Sequence, residues 1–160
     1  MSKPSGDFEA IRAYFNTHDQ LARLLGIEVV DVAPGRARAR MHLEQCHYNG
    51  VNVAHGGTIF TLADLAFAAA SNTHGTVALA INANISYLKA ATSGVLTAEA
   101  EELSLTPKLG TYSVRILNEE QETIAVFQGT VYRKNESLPI AKQPRRADPS
   151  GPTVTERKPS

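Results

Sequence analysis

The sequence predicts an α+β protein in which an antiparallel β-sheet wraps around one long, buried α-helix. Segments with alternating apolar and polar residues, which are typical of strands, lie on both sides of a largely apolar run over 57–72. This run is rich in alanine and leucine, which favour helix, and it is apolar on nearly every side, unlike a surface helix with one apolar stripe. At about 24 Å it is too short to cross a bilayer. A curled antiparallel sheet covers such a helix economically.

The composition indicates one globular domain and excludes several classes of protein. The 160 residues are 42% hydrophobic and 20% charged, and 16 basic residues balance 16 acidic ones, whereas a dedicated nucleic-acid binder has a strong basic excess. One cysteine excludes an internal disulfide. The first residues lack the apolar core of a signal peptide, and no stretch reaches the roughly 18 apolar residues of a membrane span. We therefore expect a cytoplasmic protein that binds neither nucleic acid nor membrane.

The chain is predicted to divide into a domain over 1–136 and a tail over 137–160. The tail holds five of the eight prolines and carries five basic against two acidic residues, a net charge of +3, so the first 136 residues carry −3. A proline-rich segment with so few apolar residues buries too little surface to offset its ordering entropy. We therefore predict that the tail is disordered and solvated.

The N-terminal part of the domain is predicted to be helical. Apolar residues recur at helical spacing over 7–25, with a break at 16–18. Thr17, with Gln20 three residues later, predicts a capping box at which the helix restarts, and Gly26 supplies a stop.

Strands are predicted on both sides of the apolar run. Residues 27–32 and 36–43 form a hairpin around a turn at 33–35, and the second strand alternates apolar residues with three arginines and a histidine. The arginines favour a solvated strand face over a phosphate site. Four more strands are predicted at 77–88, 95–105, 110–118 and 123–134, the last two joined by a charged loop at 118–122.

The first candidate for chemistry is the run His55-Gly56-Gly57, directly before the predicted helix. Glycines allow a ligand to approach the backbone closely, and a helix N-terminus presents unpaired N–H groups with a partial positive charge. Such a site suits a carboxylate, a phosphate or a developing oxyanion. The same residues also suit an ordinary strand-to-helix turn, and the pattern alone does not decide between the two.

The second candidate is Asp64, the only ionisable residue of the predicted helix. Removing an isolated carboxylate from water raises its pKa unless a partner compensates, and no basic residue lies three or four positions away. Asp64 belongs to a narrow stripe of small and polar residues with Thr61, Ala68 and Ser71. An unpaired acid in such surroundings is typical of a functional carboxylate, and a carboxylate bonded to backbone is the structural alternative.

The offset between these two groups predicts a site shared between subunits. Asp64 lies nine residues after His55, about two and a half turns, so it points away from the helix start and lies about 10 Å or more along the axis. One chain therefore has difficulty in bringing Asp64 to its own Gly56 amide. Two antiparallel helices side by side remove the difficulty, which predicts a two-fold dimer.

Other polar residues give weaker signals. Asn49 lies six residues before His55, and its amide is suited to donate to a carbonyl or to orient a water, although Asn-Gly is also an ordinary turn signal. Cys46 precedes His47, but neighbours in an extended strand point to opposite faces, so we expect no catalytic Cys–His pair. The histidines form no i,i+4 pair and no Cys/His cluster, so no metal site is predicted.

The segment from Asn49 to Asp64 resembles the hotdog-fold acyl-CoA thioesterases of the phenylacetate-degradation (PaaI-like) family. The shared pattern is an Asn, five further residues, His-Gly-Gly, and then Leu-Ala-Asp in the helix. The resemblance extends over about 21–134 and includes a strand at 84–88. It implies the hotdog fold, a sheet wrapped around a central helix, in homodimers that usually pair into tetramers. It also implies an acyl-CoA substrate and no separate cofactor, because coenzyme A is part of the substrate.

The resemblance implies catalytic roles for four residues. Asp64 matches the carboxylate that acts as nucleophile or as general base on water, and in this family it comes from the partner subunit. Gly56 matches the glycine whose N–H polarises the thioester carbonyl. Asn49 matches the residue that positions substrate or water, and His55 matches a histidine that orients the turn.

Substrate contacts are expected around these residues, with the acyl group between apolar strand and helix residues. Gly57 and Thr61 lie beside the catalytic groups. Some relatives have a serine near the start of the next strand, whereas this chain has Leu-Ala-Ile-Asn at 79–82, so Asn82 is the candidate replacement. The candidates for binding the coenzyme A phosphates are Lys89, Lys108, Arg133 and Lys134.

The predicted function is hydrolysis of the thioester of a small, medium or aromatic acyl-CoA. The alternative is a non-catalytic acyl-CoA-binding or regulatory module on the same fold, which the missing serine and the basic tail favour. A hydratase acting on enoyl-thioesters is a third interpretation. It calls for a catalytic His–Asp arrangement, which the sequence does not indicate.

Overall fold

The structure, a computed structural model, describes residues 7–140. The helices are α1 (Phe8–His18), α2 (Gln20–Leu24) and α3 (Gly56–Ser71), and a short 3-10 turn covers Gln45–His47. The strands are β1 (Ile27–Ala33), β2 (Arg36–His42), β3 (Thr76–Tyr87), β4 (Val95–Leu105), β5 (Leu109–Leu117) and β6 (Thr123–Ser137). β6 runs one residue past the predicted domain boundary at 136, and the predicted disordered tail lies outside the described residues from residue 141 onward.

Within residues 7–140, the six strands form one antiparallel sheet in the order β1-β2-β4-β5-β6-β3. α3 packs against every strand of this sheet. The predicted α+β architecture, a sheet wrapped around a long central helix, is confirmed. α3 begins at Gly56, one residue before the predicted start, because His55 caps it.

The core lies between α3 and the concave face of the sheet. Phe67 of α3 packs against the rings of Tyr112 and Phe127, with ring centroids 5.8 and 5.4 Å away. A side chain at Gly129 would begin 2.6 Å from the Phe67 ring, so this position in β6 has to be glycine for the helix to approach the sheet. The evenly apolar character of the helix sequence therefore reflects burial on nearly all sides.

The three arginines of β2 lie on the outer face of the sheet, as predicted. Arg36 pairs with Glu101 at 2.6 Å and Arg40 pairs with Glu28 at 2.7 Å. These side chains are exposed, and the residues between them are buried against the core. Exposed pairs of this kind contribute little stability, so the arginines form a solvated face, and their carboxylate partners disfavour a phosphate site.

The N-terminal helical segment breaks at a different residue from the one predicted. Asp19, not Thr17, caps α2, and its carboxylate accepts a hydrogen bond from the N–H of Ala22 at 2.9 Å. The predicted capping box of Thr17 with Gln20 is therefore wrong, because α1 continues through Thr17 to His18. The predicted stop at Gly26 is confirmed by its left-handed backbone, with φ of +66°.

β3 forms one edge of the sheet, and its apolar side chains are largely uncovered in the single chain. Leu79, Ile81 and Tyr87 are 52%, 61% and 51% exposed. A bulge interrupts the pairing with β6 between Ala80 and Asn82. A long, apolar edge strand is a template for pairing with another chain. No helix in the described part of the chain is both long and apolar enough to span a membrane.

Candidate active site

His55 caps α3 and fixes the turn that precedes it. Its Nδ1 accepts a hydrogen bond from the Gly57 N–H at 2.9 Å, so in the neutral ring the proton is on Nε2. Its backbone N–H donates to the carbonyl oxygen of His47 at 2.8 Å. The imidazole is thus engaged in holding the turn, which agrees with the orienting role that the resemblance implies.

The Gly56 amide is left available at the start of α3. The N–H of Gly57 is taken by the His55 ring, and the N–H groups of Thr58 and Ile59 donate to the His55 carbonyl oxygen. Among residues 7–140, nothing accepts a hydrogen bond from the Gly56 N–H. Gly56 lines a cleft of about 340 Å³. An unpaired N–H at a helix N-terminus is suited to stabilise an oxyanion in that cleft.

Tyr87, which the sequence analysis did not assign to the site, packs directly on Gly56. Its hydroxyl donates to the Gly56 carbonyl oxygen at 2.7 Å, and a side chain at position 56 would begin 3.0 Å from its ring. A side chain at position 56 would therefore crowd the Tyr87 ring and narrow the approach to the amide. No local pattern signals the contact, because the two residues are 31 positions apart.

Asp64 lies in the middle of α3, half-buried beside a second cavity. Over residues 7–140, no hydrogen bond or ion pair reaches its carboxylate, so the structural alternative of a backbone-bonded carboxylate is not observed. Burial raises the pKa of Asp64, and the negative charge of Asp19 raises it further. The cavity has a volume of about 220 Å³, and Phe15, Phe67 and Ala68 contribute to its lining.

The two cavities are separate in a single chain. The cleft at Gly56 and the pocket at Asp64 have no lining residue in common. One chain therefore does not bring its own acid to its own amide. This separation agrees with the offset along the helix from which a shared site is predicted.

Asn49 is oriented by its own loop. Its Oδ1 accepts hydrogen bonds from the N–H groups of Val51 at 3.0 Å and Val53 at 3.3 Å. Because the oxygen of the amide is engaged, its NH₂ group is the part left to donate outward. The predicted role in positioning substrate or water requires that donor and stays a prediction.

Two further residues predicted to contact substrate, Thr61 and Asn82, lie in different surroundings. The Thr61 hydroxyl donates to the Gly57 carbonyl oxygen at 2.8 Å, inside the helix. Asn82 pairs with Thr130 across the bulge, and the neighbours of Thr130 in β6, Gly129 and Val131, are buried toward the core. Asn82 therefore faces away from α3, and in one chain it is not brought to Asp64.

The four predicted cations lie at different places. Lys89 lines the Gly56 cleft and pairs with Glu122 at 2.6 Å. The other three are not among the residues that line this cleft. The Arg133 guanidinium donates to the Thr106 carbonyl oxygen at 2.7 Å, Lys134 pairs with Glu136 at 3.3 Å, and the Lys108 side chain is exposed.

The absence of a Cys46–His47 pair has a different cause from the one expected. The two residues lie in the 3-10 turn and not in an extended strand, so the argument from alternating faces is wrong. His47 is buried, with Nδ1 accepting from the Glu44 N–H at 2.9 Å and Nε2 bonded to the Leu25 carbonyl oxygen at 2.7 Å. Its ring is thus used to tie α2 to the turn, while Cys46 is exposed.

Comparison with known proteins identifies relatives of this chain. Residues 51–125 match the family model of the Thioesterase superfamily. A candidate esterase of Archaeoglobus fulgidus is 45% identical over 86% of this chain and 90% of its own length. The acyl-coenzyme A thioesterase PaaI of Escherichia coli is 35% identical over 76% of this chain and 91% of its own.

The comparison with solved structures also finds a PaaI protein. The structure of the Escherichia coli PaaI protein is 32% identical, with a TM-score of 0.78 over 83% of this chain and 98% of that chain. The fold, the wrapped helix and these matches define a thioester hydrolase with the hotdog fold. The chain belongs to the PaaI-like family of the thioesterase superfamily, which confirms the resemblance found in the segment from Asn49 to Asp64.

Proposed function

We propose that this protein hydrolyses small, medium or aromatic acyl-CoA thioesters at a site formed by Gly56 of one subunit and Asp64 of its partner. The observation that carries the proposal is the half-buried Asp64 carboxylate, which has a raised pKa and faces an apolar pocket. A raised pKa in a cleft, without a structural partner, is typical of a catalytic acid or base. The name of the Escherichia coli relative, an acyl-coenzyme A thioesterase, supports the substrate class.

The Gly56 amide stabilises the negative charge that develops on the thioester oxygen. Attack on the carbonyl carbon converts the carbonyl oxygen to an oxyanion, which accepts a hydrogen bond from the Gly56 N–H at the positive end of α3. Loss of one such donor typically costs about 3–4 kcal/mol of transition-state stabilisation. Tyr87 and His55 hold the turn in place through their hydrogen bonds to Gly56 and Gly57.

Asp64 supplies the nucleophile, either directly or by taking a proton from water. In the first route a carboxylate oxygen bonds to the carbonyl carbon, the C–S bond breaks to release the coenzyme A thiolate, and water hydrolyses the resulting anhydride to free the acid and Asp64. In the second route the water oxygen bonds to the carbonyl carbon, the proton passes to the carboxylate, and the C–S bond breaks to release the coenzyme A thiolate. Both routes require the ionised carboxylate. The raised pKa of Asp64 makes its ionised carboxylate a stronger base.

The two cavities suit the two halves of the substrate. The pocket at Asp64 lies between α3 and β3 and is lined mostly by apolar residues, as an acyl group requires. The cleft at Gly56 has Lys89 on its lining, which is suited to a coenzyme A phosphate. We propose that the protein works as a homodimer, because the two cavities are separate in one chain and a second chain can bring both to one thioester. The pairing of dimers into a tetramer and the cytoplasmic location, both expected from the sequence, complete the proposal.

Replacing Asp64 tests the catalytic assignment. We expect Asp64→Asn to lower kcat on a panel of acyl-CoA thioesters by on the order of 10²- to 10⁴-fold, measured as release of free thiol. The matched control is Asp31→Asn, since Asp31 is an exposed carboxylate on the outer face of the sheet. Equal rates in wild type and Asp64→Asn would contradict the assignment.

A thermal melt separates catalysis from folding in this experiment. Folding raises the pKa of Asp64, so the folded state binds that proton more tightly than the unfolded state. Ionised Asp64 therefore lowers stability as pH rises from the ordinary carboxyl range through its raised pKa. Asp64→Asn is expected to melt at or above the wild-type temperature at neutral pH, with the difference vanishing in acid.

Mixing two inactive variants tests whether the site is shared. Asp64→Asn removes the acid, and Gly56→Ala keeps the N–H but adds a methyl group 3.0 Å from the Tyr87 ring, so each variant is expected to lose most of its activity. A mixed dimer holds one intact site, with Gly56 from the first variant and Asp64 from the second. After equal amounts are unfolded and refolded together, about a quarter of wild-type activity is expected, because half the dimers are mixed and each has one working site of two. A site built within one chain would recover no activity on mixing.

A further inference from the structure

The pocket at Asp64 has a wall that comes from a different part of the chain. Phe15 of α1 lines it together with Phe67 and Ala68 of α3, and Ala80 of β3. Phe15 is partly buried and packs against the hydrophobic core. The ring therefore closes a cavity whose other sides belong to the central helix and the sheet.

The position of this wall is fixed by its neighbour in sequence. The Asn16 side chain donates from Nδ2 to the Val29 carbonyl oxygen at 2.9 Å and accepts at Oδ1 from the Val29 N–H at 2.8 Å. This pair of hydrogen bonds ties the C-terminal part of α1 to β1. Ile11, one turn earlier, is buried at 2% exposure. Phe15 is therefore held against the pocket at two neighbouring points of the helix.

The volume that remains is small. The pocket measures about 220 Å³, and for comparison an apolar cavity of about 150 Å³ holds one benzene molecule. A ring or a short aliphatic chain fits in this space, and a long acyl chain exceeds it. The cost of an overfilled apolar pocket rises with each added methylene.

We propose that Phe15 is a specificity-determining residue that sets the upper limit on the length of the acyl group. The inference rests on the proposed function, because it places the acyl group beside Asp64. Removing this wall is expected to shift the substrate range toward longer acyl groups.

The test compares kcat/KM for acetyl-, butyryl-, hexanoyl-, octanoyl- and dodecanoyl-CoA in wild type and Phe15→Ala. The ratio of the dodecanoyl to the butyryl value is expected to rise on the order of tenfold in Phe15→Ala, as for a few methylenes gained by an apolar pocket. The matched control is Tyr14→Ala. Tyr14 is the adjacent aromatic residue of α1 but lines a separate groove with Thr17 and Pro139. Its ratio is expected to stay at the wild-type value.

Two further variants keep the proposal testable if Phe15→Ala does not fold. Phe15→Leu removes less volume and is expected to raise the ratio by a smaller factor. Ala68→Leu fills the same pocket one turn after Asp64, and is expected to lower the ratio.

The outcomes separate this inference from the proposed function. Wild-type protein that hydrolyses none of the thioesters contradicts the proposed function and, with it, the role of Phe15. Wild-type protein that is active, with Phe15 variants that keep the wild-type ratio, overturns the role of Phe15 alone, whatever the ratio in Ala68→Leu. An equal shift in Tyr14→Ala overturns it too, since general loosening of α1 then explains the change.

Discussion

At the scale of single residues, the proposed chemistry depends on how the Asp64 carboxylate is surrounded. Asp64 loses water contact on α3, and burial is the larger cause of its raised pKa. The second cause is Asp19, whose carboxylate also accepts the N–H of Ala22 as the cap of α2. Asp19, which lies outside α3, thus acts in two ways: its oxygen caps α2 and its charge raises the pKa of Asp64.

Asp19→Asn separates these two functions. Asparagine caps a helix about as well as aspartate, so α2 is expected to persist while the negative charge is lost. The pKa of Asp64 then falls, its ionised form survives to lower pH, and the acidic limb of the kcat/KM profile moves to lower pH. The profile is measured with a small acyl-CoA across the acidic range.

The control for Asp19→Asn is Asp7→Asn. Asp7 caps α1 by accepting the Ala10 N–H at 3.0 Å, but its charge is not among the causes of the Asp64 shift. We expect its profile to match that of the wild type. An acidic limb that stays in place in Asp19→Asn would show that Asp19 has no electrostatic influence on the site.

At the scale of elements, α1 matters because it carries a side chain into the pocket. Its attachment to the sheet depends on the two hydrogen bonds between Asn16 and the backbone of Val29. Backbone groups of this kind lose their partners when the side chain is removed. The short N-terminal helix is therefore part of the site's framework and not an appendage to the domain.

Asn16→Ala is expected to weaken this attachment. Two hydrogen bonds at about 0.5–1.5 kcal/mol each predict a loss of about 1–3 kcal/mol in the free energy of unfolding, measured in urea. Hydrogen exchange is expected to rise in α1 before it rises in β6. Asn135→Ala, at an exposed position of β6, serves as control and is expected to unfold at the wild-type midpoint. Equal midpoints in the two variants would mean that α1 is held by apolar contacts alone.

The elements themselves follow from local patterns more fully than the site does. The alternation in β2 and the apolar run of α3 predict strand and helix because each is set by which face is buried. The choice between Thr17 and Asp19 as cap is not set by residue type, because both types cap helices. In the structure α1 continues through Thr17, and Asn16 just before it is hydrogen-bonded to Val29 of β1.

The residues of the candidate site also fall into two groups, those indicated by local sequence and those that only the folded structure brings to it. Asp64 and Gly56 are found from the sequence, because a lone acid in an apolar helix and glycines at its start are unusual within a few residues of chain. Tyr87 and Phe15 are not, because they reach Gly56 and the Asp64 pocket from distant elements. Aromatic residues in strands and helices are ordinarily core residues, and only the folded structure gives them another role.

At the scale of the whole molecule, β3 is the edge strand whose outer side is unpaired in a single chain. It is twelve residues long, pairs with β6 on one side only, and presents apolar side chains to solvent. Gly56 and Asp64 line separate cavities, so the proposed chemistry needs a second chain. Both observations favour a partner that lies alongside β3.

Ile81→Asp tests this surface. Ile81 lies at the bulge of β3 and is 61% exposed, so a carboxylate there is tolerated by the isolated chain but is buried by a partner. We expect Ile81→Asp to sediment as a monomer, with activity lowered in proportion to the fraction of dimer lost. The control is Leu24→Asp, at an exposed apolar residue of α2, and it is expected to remain dimeric and active. A dimeric, active Ile81→Asp protein would place the interface elsewhere.

The distance between amide and acid along α3 has a consequence for how the rate depends on enzyme concentration. Under the proposed shared site, a solitary polypeptide has no turnover, however well folded it is. Below the dissociation constant of the pair, velocity then grows with the square of the amount of enzyme, and only above that constant does it grow linearly. With such a site, newly made chains become active only when they dimerise, and dilution below the dissociation constant of the dimer abolishes activity.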